Sequence, residues 1–128
     1  MNNTEIIKLE HIFKTIANRK RLALLILLLE GEATINHLSS TLKLPYKTAE
    51  RNLINLTEAG FLIKRTDCYR ALFTINPRAS SLHKYLIKTI KEKSSKIGYK
   101  INAISLLEAV LEVDKSHTFL KKRLGMLK

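Results

Sequence analysis

The chain has 128 residues, a mass of 14.7 kDa and 45% hydrophobic residues, enough for one small domain with a real core and an appended element. Lys and Arg number 23 against 11 Asp and Glu, and the resulting charge of +12 points to a polyanionic partner, nucleic acid ahead of an anionic membrane surface. The single Cys68 excludes an internal disulfide framework and a multi-cysteine zinc site. The longest apolar run, Leu22 to Leu29, is far short of the roughly 20 residues that span a bilayer, so a cytoplasmic protein without a membrane partner is expected.

Glu5 to Ala17 places Ile6, Ile7, Leu9, Ile12, Phe13 and Ile16 at helical spacing, with Thr4 as the expected N-cap. Arg21 to Glu30 is apolar around most of its circumference, which predicts a central helix packed on several sides and ended by Gly31. Glu32 to Ile35 reads as a minor strand. Asn36 then caps a helix to about Leu42, with Leu38 and Leu42 inward.

Pro45 opens the next helix after a turn of about three residues, because proline is accommodated in a first helical turn. This segment, about 45–59, is the most informative of the chain. Ala49, Leu53 and Leu56 make one apolar stripe, while Lys47, Arg51 and Asn55 project the other way, and Gly60 closes it. A short helix, a tight turn and a second helix with a polar outer face predict a helix-turn-helix whose second member enters a major groove.

Phe61 to Arg65 and Tyr69 to Ile75 are β-rich runs separated by Thr66-Asp67-Cys68, a hairpin directly after that helix. Asn76-Pro77 ends the sheet, and helix resumes from about Arg78 with Leu82, Tyr85, Leu86 and Ile90 at helical intervals. Residues 79–128 hold 11 basic and four acidic side chains, the larger share of the excess charge. Lys84, Lys88 and Lys91 share one helical face, read as a solubilising stripe in preference to a DNA contact. Ile101 to Val113 has an apolar stripe wider than one neighbour requires, so part of it is expected to meet a second subunit. A last short helix is expected to hold Phe119, Leu120 and Leu124.

Three segments together resemble the winged helix-turn-helix of ArsR-like transcriptional regulators: Ile16 to Leu25, Asn36 to Gly60, and the hairpin closing on Thr74-Ile75-Asn76-Pro77. The likeness runs from about Phe13 to Pro77. It implies a mainly α fold with a small β-hairpin, a DNA-binding domain at 1–78 and a C-terminal helical dimerisation region at 79–128. It also implies a homodimer on double-stranded DNA. Metal-sensing relatives often carry a Cys-x-Cys pair where this chain has Thr34-Ile35-Asn36, so no metal or other cofactor is expected and any small-molecule effector is unidentified. Arg19, Pro45 and Ile54 also depart from the family pattern, and the short wing tip lacks glycine.

In the resemblance, Tyr46, Lys47, Thr48, Glu50, Arg51 and Asn52 fall at DNA-contacting positions. Chemistry agrees for several: Arg51 or Lys47 can donate to guanine O6 and N7, and Asn52 or Asn55 can pair bidentately with adenine. Lys64, Arg65 and Arg70 on the wing are expected to meet phosphates, which fixes register without reading sequence. Ile6, Leu9 and Phe13 of the first helix and Ile104, Leu107 and Leu111 of the tail are the expected dimer contacts. His11, His37, His83 and His117 are scattered over different elements, and no nucleophile, carboxylate pair or glycine-rich phosphate loop marks a catalytic site. Two other readings stay open, a protein-interaction module using the exposed Ile54 and the apolar tail, and an architectural binder indifferent to base sequence.

Overall fold

The computed structural model describes residues 1–95 and 98–109. Helix α1 spans Asn3–Ile16, two residues earlier than expected, because Asn2 rather than Thr4 is the N-cap. The Asn2 side chain accepts from the Glu5 N–H at 2.9 Å and the Glu5 carboxylate accepts from the Asn2 N–H at 3.1 Å, a reciprocal pair that satisfies two otherwise orphaned donors.

Helix α2, Arg19–Leu28, is capped by Asn18, whose side chain accepts from the Arg21 N–H at 3.1 Å. Ala23 through Leu28 are all buried, as an all-round apolar helix must be. Strand β1 contracts to Ala33–Thr34, since Thr34 and not Asn36 caps the next helix: its hydroxyl accepts from the His37 N–H at 3.1 Å. Helix α3, Ile35–Leu42, ends on Lys43 in the left-handed region (φ 54°), and Lys43-Leu44-Pro45 form the turn. The Ser39 hydroxyl donates to the Leu44 carbonyl at 2.6 Å and locks that turn. Helix α4 follows, Tyr46–Glu58.

Strands β2, Leu62–Asp67, and β3, Arg70–Ile75, pair antiparallel from Leu62 opposite Ile75 to Asp67 opposite Arg70, and β1 adds to the other side of β3. The connection is a two-residue loop, Cys68-Tyr69, in place of the expected three-residue gap. Cys68 adopts φ 51°, as two-residue hairpins require at a loop position usually filled by Gly or Asn. Helix α5, Ser81–Ser94, starts later than expected because Ser80 caps it. A sixth helix, α6, covers residues 99–109; Leu111, His117 and the expected last short helix lie outside the described residues. Among the described residues no helix is long and apolar enough to cross a membrane.

Leu24, Leu25 and Leu28 of α2 form the centre of the core with Leu38, Leu53, Leu56, Phe61 and Phe73, each at most 1% exposed. Ala103 of α6 and the partly buried Ile87 and Ile90 of α5 join the same cluster, so packing runs across the boundary expected at residue 78. His83 ties α5 to the end of α4. Its Nε2 lies 2.6 Å from the Ala59 carbonyl, which can only accept, so Nε2 carries a proton; Nδ1, 2.5 Å from the Ser80 hydroxyl, is left to accept in the neutral ring.

Gly60 (φ 92°) sits against that ring, and a Cβ there would lie 3.1 Å from Nε2. Gly60→Ala combines backbone strain with displacement of the imidazole, and we expect a loss of about 1–3 kcal/mol in chemical denaturation. An unchanged denaturation midpoint would show that the ring moves aside without cost.

Candidate nucleic-acid interface

Helix α4 has an inner and an outer side. Ala49, Leu53 and Leu56 are completely buried, and they bring the opposite stripe of Lys47, Arg51, Ile54 and Glu58 to the surface. Thr48, Glu50 and Asn55 flank it, half-buried. Tyr46 opens the helix 46% exposed and shares a shallow cleft of about 320 Å³ with Asn36 of α3 and Tyr69 and Arg70 of the wing. The beginnings of α3 and α4 and the tip of the hairpin therefore form one continuous surface.

Asn52 departs from the sequence expectation. It is buried (7% exposed), its Nδ2–H donates to the Thr48 carbonyl at 2.9 Å, and its Oδ1 accepts from Arg21 Nη1 at 3.1 Å. An amide committed in this way inside the fold is not presented to a base. Arg21 also donates from Nε to the Thr15 carbonyl at 2.5 Å and from Nη2 to the Lys14 carbonyl at 3.4 Å. One guanidinium thus caps the last turn of α1 and grips α4. Partial burial lowers its pKa from the ordinary value, yet guanidinium stays charged at any physiological pH.

The wing cations divide. Arg65 is engaged within the fold: its Nε and Nη2 donate to the Glu32 carboxylate at 2.5 and 2.6 Å, a two-pronged pair fastening β2 to the segment before β1. The Arg65 hydrogen bond, aided by its charge and opposed by desolvation and the Asp67 charge, holds the Glu32 carboxyl below the usual carboxylate range. Since that pKa is depressed by folding, the contribution of the pair to stability is present above the ordinary carboxylate value and lost as pH falls through the lowered one. Arg70 lies 3.5 Å from Asp67. None of the ion pairs among the described residues involves Lys47, Arg51 or Lys64.

The expected dimer contacts also divide. On α1, Ile6 and Phe13 are 51% and 47% exposed, Leu9 is half-buried beside them, and Ile7 extends the apolar surface; Ile12 and Ile16 pack inward. Ile104 and Leu107, by contrast, pack partly against the chain's own core because α6 lies back on it, while Ile101 and Tyr85 stand exposed. Tyr69, wholly exposed at the wing tip, was missed beside the charged residues; an aromatic residue opening the second β-rich run, next to the gap, was its sequence signal.

A tight-turned pair of helices, an adjoining hairpin and flanking helices in this order are a winged helix-turn-helix. No family model and no curated protein sequence matches the chain, but solved structures do. It is similar to reduced HlyU from Vibrio cholerae N16961, with 26% identity over 70% of this chain and 90% of that one, at a TM-score of 0.60. It is similar also to the homodimeric winged helix-turn-helix DNA-binding domain of Mb0332 from Mycobacterium bovis, a possible ArsR-family regulator (21% identity, 76% and 90% covered, TM-score 0.62). A third is the transcriptional repressor BigR from Xylella fastidiosa (19%, 70% and 85%, 0.58). The chain is ArsR-like in fold.

Proposed function

We propose that the protein is a sequence-specific, double-stranded-DNA-binding transcriptional regulator that acts as a homodimer with α4 in the major groove. The observation that carries this reading is the outer stripe of α4, where Lys47 and Arg51 stand exposed at successive helical turns, without an acidic partner among the described ion pairs, on a helix anchored by three buried apolar residues. The described functions of the structural neighbours, DNA binding in Mb0332 and repression by BigR, support it.

Arg51 and Lys47 donate to guanine, Asn55, Glu50, Thr48 and Tyr46 border the read bases, and Lys64 with Arg70 meets the flanking phosphates. The apolar side of α1, Ile6, Leu9 and Phe13, joins the two subunits, with Ile101 and Tyr85 in place of the more buried Ile104 and Leu107. A two-fold dimer places its two copies of α4 in successive major grooves, roughly 34–36 Å apart. The site of action is wherever the chromosome lies, the cytoplasm or nucleoid, and the protein works by binding, without catalysis.

Selection of bound duplexes from a random library, followed by anisotropy titration of the winner against a scrambled duplex, tests the proposal. We expect a two-fold symmetric motif bound at least about 10³ more tightly than scrambled DNA. Uniform, steeply salt-dependent binding would make it an architectural binder, and no binding would shift attention to protein partners of Ile54 and the apolar faces.

The Glu32–Arg65 pair yields a further expectation. Glu32→Gln removes the carboxylate and releases a cation on the wing, so the slope of log affinity against log salt should steepen by up to about 0.9 per subunit. An unchanged slope would place Arg65 away from the DNA backbone.

A further inference from the structure

A groove of about 640 Å³ lies on the far side of the helix-turn-helix turn, between the start of α2, the α3–α4 turn and α6. Its volume falls in the range of small-molecule sites. Leu42, Leu44, Ile104 and Leu107 give it an apolar wall, and three cations, Arg19, Lys20 and Lys43, line it against one anion among the described residues, Glu108. Two further details favour an anion. The first turn of α2, where Arg19 and Lys20 stand, has no acidic side chain against its positive dipole end. Lys43 places a basic side chain at a left-handed position (φ 54°) where glycine would be relaxed.

We propose that this groove binds a small amphipathic anion, an aromatic or short aliphatic carboxylate, with its apolar body on the leucine and isoleucine wall and its carboxylate among Arg19, Lys20 and Lys43. The groove shares Leu44 with the turn locked by Ser39, and Asn18 on its wall caps the helix turn from which Arg21 reaches Asn52 of α4. A ligand seated there touches both supports of α4. Its effect on DNA affinity follows from those contacts and rests on the proposed reading of α4; the binding itself does not.

The probe is 1-naphthoate, titrated into the full chain and followed by amide chemical shifts in ¹⁵N–¹H correlation spectra, with neutral 1-naphthamide as the control. We expect saturable shifts concentrated at residues 18–20, 41–44 and 104–108, and affinity lowered at least about tenfold both by the amide and by Lys43→Gly. That substitution removes a cation while relaxing the backbone, so a folding defect cannot mimic the result. A matching anisotropy titration on the selected duplex should show 1-naphthoate changing the affinity of the wild type and not of Lys43→Gly.

Shifts confined to the exposed face of α1, equal binding of the amide, or insensitivity to Lys43→Gly would overturn the site. So would the absence of saturable shifts. Saturable binding at these residues by a protein that selects no DNA motif would sustain the site and refute the proposed function instead.

Discussion

Arg51→Ala is expected to lower affinity for the selected duplex by about 10- to 100-fold, while changing affinity for a scrambled duplex less than about threefold. The first figure follows from roughly 1–3 kcal/mol for a well-formed base contact; the second from the loss of one charge near a polyanion. Arg51 is exposed on the outer stripe of α4 and its side chain takes no part in the hydrogen bonds or ion pairs among the described residues, so folding stability should stay within about 0.5 kcal/mol of the parent. Anisotropy titrations on both duplexes check it. Equal losses on the two would reassign Arg51 to a phosphate, where it would hold register without reading sequence.

The second large effect is expected inside the fold. Arg21→Met leaves the Thr15 and Lys14 carbonyls without their side-chain donor and strips the Asn52 Oδ1 of its partner. Leaving a buried acceptor unsatisfied costs about 1–3 kcal/mol, and the packed aliphatic stem is retained by the methionine, so a destabilisation of about 2 kcal/mol in urea titration is expected. Specific DNA affinity should fall as well, because α4 loses its tie to α1 and α2. Adding Asn52→Leu should cost much less in the Arg21→Met background than alone, since replacing both partners by apolar groups removes the orphaned amide. Strict additivity of the two substitutions would mean that the pair is not a linked support.

Helix positions and the winged order were legible from hydrophobic periodicity, because each helix packs one stripe on a shared centre and the burial of Ala49, Leu53 and Leu56 repeats that spacing. Caps were less legible. Asn2, Thr34 and Ser80 each compete with a neighbouring residue that can also cap, and only the fold decides which side chain meets a free N–H. The hairpin loop was hidden because Cys68 occupies a left-handed position without the Asn-Gly or Asp-Gly signal that marks such turns.

At the candidate site, charge and helical phase placed Lys47 and Arg51 on the exposed stripe where they are found, but Asn52 lies beside Leu53 at the edge between the two faces. Its fate depends on Arg21, 31 residues away, which no local pattern reveals. The same holds for Arg65, whose partner Glu32 precedes it by 33 residues. Long-range polar pairing, rather than propensity, separates the polar side chains left at the surface from those holding the scaffold.

The most direct test of base reading by α4 is substitution of single guanines in the selected duplex by 7-deazaguanine, which removes the N7 acceptor from the major groove. At the guanine that Arg51 contacts, this should weaken wild-type binding by about 10-fold and leave Arg51→Ala unaffected, because the two changes delete the same interaction. Indifference of the wild type to every such substitution, on a duplex it selects, would mean that α4 does not read guanine in the major groove.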